Sequence, residues 1–152
     1  MLRDPSSVVQ FWRDAGPKMW FAKDADFDSH FRERFLAHHE AAARRQLMEW
    51  LATAEGALAL VLLLDQFPRN AFRDTPRMYA TDALACDVAD QAITASHDRA
   101  VPEDLALFFY LPLAQPRPGA ASLRYRAALR PLSPSQRHPR PRDDRRRATL
   151  PR

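Results

Sequence analysis

Apolar positions along the chain recur at helical spacing. In "DADFDSHFRERFLAHHEAAARRQLMEWLA", Phe27, Phe31 and Phe35 fall every four residues, and His38 or His39 and Ala42 continue their face, while Arg32, Glu33, Arg44 and Arg45 lie elsewhere. This predicts an amphipathic helix broken before Leu47. Upstream, "PSSVVQFW" offers Ser6 or Ser7 as the N-cap of a short helix that stops near Gly16-Pro17. A third helix is predicted from just after Thr53 to about Phe67, where Pro68 disfavours helical backbone at the residue before it. Its run Ala57 to Leu64 is apolar almost all round, which marks it as the most buried element. Thr75-Pro76 opens a fourth helix toward Ser96, and Pro102-Glu103-Asp104 repeats that opening before "LALFFYL". The chain has three glycines, and no Asn-Gly or Asp-Gly pair joins two alternating segments. The expected class is therefore all-α, built of antiparallel helical hairpins over residues 7–113.

Charge divides the chain at the end of that pattern. Residues 1–114 carry 12 Lys+Arg against 17 Asp+Glu, a net of −5, whereas residues 115–152 carry 11 Arg against 2 Asp, a net of +9. The segment after residue 113 also holds seven prolines and no long apolar period, so residues 114–152 are expected to be a disordered Arg/Pro-rich tail. A genuine basic tail would attract nucleic acid or an acidic surface. Tyr125 is its only aromatic residue and it carries no recognised motif, so nucleic-acid binding is not expected of it. A single cysteine excludes an internal disulfide, and the N-terminus lacks a signal-peptide pattern, which predicts a cytoplasmic protein. The apolar run Ala57 to Leu64 is far short of the roughly 20 residues that span a bilayer.

The chemistry concentrates in Asp65-Gln66-Phe67-Pro68-Arg69-Asn70. In one reading, Arg69 or Asn70 satisfies the last carbonyls of the buried helix while Asp65 pairs with Arg69 or Arg73. In the other, Arg69 and Arg73 present guanidinium forks to a carboxylate or phosphate in a cleft, with Asp65, Gln66 and Asn70 orienting them. Asp82 is placed to face Arg69 or Arg73, as an ion-pair partner or as an acid or base. Trp12, Trp20, Phe21 and Lys23 either cover the end of the helical stack or wall the same pocket.

Other chemistries find little support. His38 and His39 are adjacent and point about a hundred degrees apart on a helix, so they do not share a metal ion easily; one is expected on the phenylalanine face and the other in solvent. Cys86 reads as a buried, inert thiol. No phosphate loop, dinucleotide fingerprint or nucleophile elbow occurs, and no cofactor or metal is expected.

"FWRDAGPKMWFAKDADFD", "LLLDQFPRN" followed by "FRDTPRMYATD", and "LFFYLPL" together resemble the bacterial domain of unknown function 924 family over about residues 8–113. The resemblance implies a tetratricopeptide-like arrangement of helices and supplies no established activity. It also implies a His-Ser-Glu motif and further helices after the Leu-Pro-aromatic step, which here reads Leu111-Pro112-Leu113 and continues differently. If Ala114-Gln115-Pro116 were encoded GCA-CAG-CCN, the frame one base later would read His-Ser. A frame slip after Leu113, leaving an incomplete domain with an apolar face exposed at Leu105 to Leu111, is the expectation.

Three functions fit these readings. The first is a binding module that takes a small anionic ligand or a peptide carboxylate among Asp65, Gln66, Arg69, Asn70, Arg73 and aromatic neighbours. The second is a cofactor-free enzyme using Asp65 or Asp82 as general acid or base. The third is a helical scaffold that binds partners through its surface.

Overall fold

A computed structural model describes residues 4–114, and among these every regular element is helical. Helix α1 spans Pro5–Ala15, α2 Pro17–Trp20, α3 Ala25–Ala43, α4 Ala54–Val61, α5 Phe67–Ala71, α6 Asp82–Thr94 and α7 Glu103–Ala114. Short 3-10 turns occupy Met48–Ala52, Pro76–Tyr79 and His97–Arg99. The all-α expectation holds, whereas the predicted basic tail lies outside the described residues.

The boundaries follow from capping chemistry. Helix α1 is capped by Asp4 rather than by Ser6 or Ser7: its carboxylate accepts from the Ser7 N–H, and Pro5 takes the first helical position. Hydrogen bonds from the Ser6 hydroxyl and then the Ser7 N–H hold the Asp4 carboxyl below its ordinary range. Gly16, at φ +76°, closes α1 in a backbone region that a side chain would strain. Asp24 caps α3 by accepting from Phe27 N–H, and Thr53 caps α4 through Gly56 N–H at 3.0 Å. Thr75-Pro76 starts only a 3-10 turn, and α6 begins later, at Asp82.

Helix α4 is the centre. Every residue from Ala57 to Leu64 is at most 1% exposed, and α1, α6 and α7 pack on α4 while α3 packs on α5. An aromatic cluster joins α1, α3 and α7. Trp12 lies edge-on to Phe108 at 5.3 Å and tilted against Phe31 at 5.6 Å, while Phe31 meets Phe67 edge-on at 5.1 Å. Leu105, Phe108, Phe109 and Leu113 are buried against these neighbours. The apolar face expected to lie open on α7 is thus closed by α4, α6 and the two tryptophans, and only Leu107 of its large residues is exposed.

The third helix does not stop before Pro68. The chain stays helical from Ala54 to Ala71 by widening into a π turn over Leu62–Gln66, in which Phe67 N–H donates to Leu62 O, five residues back. The proline lacks an N–H and its ring would press on the carbonyl four residues earlier; the wider turn accommodates both defects. Proline stops a helix when nothing else takes the freed carbonyls. Here other side chains take them.

Candidate functional site

Three consecutive carbonyls at the π turn are met by side chains, two from other parts of the fold and one from the next turn of the same helix. Leu63 O, bypassed when Phe67 N–H reaches to Leu62, accepts from His39 Nδ1 of α3 at 2.8 Å. Leu64 O, which Pro68 cannot serve, accepts from the Thr81 hydroxyl at 2.7 Å. Asp65 O accepts from Arg69 Nη1 at 2.7 Å. A carbonyl acceptor fixes the His39 tautomer with its proton on Nδ1. Each bond satisfies a buried group whose loss would cost about 1–3 kcal/mol.

The same Arg69 carries the charge network. Its Nη1 also donates to Asp65 Oδ1 at 2.7 Å and to Asp82 Oδ1 at 3.1 Å, and Nη2 reaches Asp82 Oδ2 at 3.4 Å. The two carboxylates differ. Asp65 is 1% exposed and receives a second bond from Gln66 Nε2 at 3.0 Å, whereas the Asp82 side chain is 17% exposed and stands at the first turn of α6. The Tyr79 ring lies 5.9 Å from the Arg69 guanidinium and is exposed.

The remaining candidate residues separate from this cluster. Arg73 turns to Asp28 of α3, with Nε at 3.0 Å from Oδ2 and Nη2 at 3.4 Å from Oδ1. Asn70 is buried, with its Nδ2 unbonded among the described residues. Trp12 and Trp20 stack on each other at 6.0 Å, and Trp20 Nε1 donates to Trp12 O at 2.7 Å. They belong to the aromatic core with Phe108 rather than to the Arg69 cluster. Lys23 is exposed and lies 4.0 Å from the equally exposed Asp74.

The histidine expectation needs correction. Both His38 and His39 are buried: His38 sits edge-on to Phe35 at 5.2 Å, and His39 stacks on Phe67 at 4.9 Å. Neither is left in solvent, because the π turn on the facing element offers His39 a carbonyl that water cannot reach. Cys86 is half-buried, not sealed, and its thiol points to Pro112 O at 3.5 Å. Among the described residues no cluster of metal-ligating side chains forms, and no helix is long and apolar enough to cross a membrane.

Asp28, Thr81 and Tyr79 escaped the sequence reading. Thr81 was findable: a proline four residues after a buried carbonyl demands a donor from elsewhere, and a hydroxyl just before a helix is a natural one.

The model of a family described as bacterial protein of unknown function, DUF924, matches residues 8–130. That match passes through Leu113 into the segment read as frame-slipped, so family-like sequence extends further than the quoted motifs. No curated protein matches the chain. A solved structure of a protein of unknown function, ATU0120 from Agrobacterium tumefaciens, is 54% identical with a TM-score of 0.74, covering 82% of this chain and 68% of that one. With the family match spanning most of its length, the chain belongs to the bacterial DUF924 family.

Proposed function

We propose that this chain is a binding module and that Arg69 is the group through which it takes a carboxylate, on a small anion or at the end of a peptide. The observation that carries this reading is the inequality of the two carboxylates on Arg69. Asp65 is buried, short-bonded and locked by Gln66; Asp82 is partly exposed and more loosely held at 3.1 and 3.4 Å. A ligand carboxylate can exchange with Asp82 and keep the two-point fork of the guanidinium. Helix α6 favours the exchange, because Thr81, at its N-cap, spends its hydroxyl on Leu64 O and leaves the first N–H groups without a side-chain cap.

Asp65 is poorly disposed toward the enzymatic alternative. Both of its oxygens are engaged and it is almost fully buried, so it orients Arg69 rather than meeting a substrate.

Calorimetric titration with a short N-acetylated peptide, as free acid and as C-terminal amide, tests the reading. The acid should bind and the amide should not. Asp82→Asn, which removes the competing carboxylate, should tighten the acid by about tenfold. No binding of the acid, equal binding of acid and amide, or weakening by Asp82→Asn would refute it.

A further inference from the structure

Helices α1 and α3 flank an open groove of about 720 Å³ that shares no residue with the Arg69 cluster. Its size falls in the range of small-molecule sites. The floor is aromatic: Phe11 and Phe27 stack at 5.5 Å with their planes 26° apart. One wall, from α3, carries His30 and Arg34; the other, from α1, carries Gln10 and Asp14.

The arginines of this chain are not equivalent. Arg69, Arg73 and Arg77 each hold a carboxylate, whereas Arg34 has none among the described residues. The exposed Arg34 lies over aromatic faces, its guanidinium 5.4 Å from the Phe11 ring and 5.7 Å from Phe35. An uncommitted, pre-positioned guanidinium beside an aromatic floor is suited to a ligand that is apolar at one end and anionic at the other. The opposite wall reinforces the direction. Asp14 is engaged by the Gln10 amide at 2.7 Å and repels an anion, so the acid end of a ligand is driven toward Arg34.

We infer that the α1/α3 groove is a binding site for an amphipathic aromatic carboxylate, whose ring lies over Phe11 and Phe27 and whose acid pairs with Arg34. This inference does not rest on the exchange at Arg69.

The test is calorimetric titration of the full chain with naphthoate and with its uncharged amide. Naphthoate should bind, the amide should bind about tenfold more weakly, and Arg34→Gln should weaken naphthoate by a similar factor while leaving the melting temperature close to that of the parent. A saturating concentration of the N-acetylated peptide acid, which would occupy Arg69, should leave naphthoate binding to the groove unchanged, which separates this groove from the Arg69 cluster. Absence of binding at millimolar naphthoate, equal affinity for acid and amide, an unchanged affinity in a folded Arg34→Gln, or full displacement of naphthoate by the peptide acid would each overturn the assignment. The comparison of acid with amide on the parent chain decides the matter even if Arg34→Gln fails to fold.

Discussion

The imidazole of His39 donates through Nδ1 to the carbonyl of Leu63 at 2.8 Å, joining α3 to the one turn of the buried helix that widens to a π geometry. Burial pushes the His39 pKa below its ordinary 6.5; the Leu63 bond opposes that shift and the Arg77 charge adds to it. The folded chain thus takes up this proton at lower pH than the unfolded chain does. Between the depressed folded value and 6.5 the unfolded state holds more protons, so stability is complete above pH 6.5 and is lost as pH falls through that window. Urea midpoints should drop on acidification below 6.5 for the parent, and less for His39→Gln, whose amide can still donate to the carbonyl. Equal pH slopes in the two proteins would show that His39 is not the titrating group.

Arg69 Nη1 lies 2.7 Å from Oδ1 of Asp65, a carboxylate that is 1% exposed. Arg69→Ala removes this ion pair from a buried carboxylate and should cost about 3–5 kcal/mol by urea denaturation. Asp82→Asn removes the outer, partly exposed member of the pair and should cost about 1 kcal/mol. Comparable losses from the two variants would mean that the carboxylates are equivalent, and the exchange argument for ligand binding would lose its footing.

Gly56 sits in the first turn of α4 against the 3-10 turn before it. A Cβ added there would lie 2.1 Å from Trp50 O and 2.9 Å from Thr53 Oγ1. Alanine is the better helix former by about 1 kcal/mol, yet the contact is with backbone, which cannot swing aside. Gly56→Ala is therefore expected to destabilise by about 1–3 kcal/mol. A rise in melting temperature would show that the Met48–Ala52 turn moves freely away from α4.

The sequence carried the helices and their order because apolar period, caps and prolines are local signals. Thr53 and Gly16 ended or began elements where expected. The partner of Arg73 was not legible: Asp28 lies 45 residues away in sequence, and only the packing of α3 on α5 brings them together. Pro68 misled for a different reason. Its local preference is to stop a helix, but the cost of continuing is offset by donors from His39 and Thr81, neither of which a local rule can see. The same tertiary bond drew His39 out of solvent. Arg69 was legible as chemistry, since Asp65 lies one helical turn before it, while the difference between Asp65 and Asp82 exists only in their burial.

Pro68 frees the Leu64 carbonyl, and Thr81 answers it. A double-mutant cycle measures this directly. Thr81→Val alone leaves a buried carbonyl unsatisfied and should cost about 1–3 kcal/mol. With Pro68→Ala in place, the restored N–H at position 68 can serve Leu64 O four residues back, and the cost of Thr81→Val should shrink by about 1 kcal/mol or more. Urea denaturation of the four proteins gives the coupling. Costs that add to within about 0.3 kcal/mol would show that Thr81 and Pro68 act independently and would contradict the explanation offered for the π turn.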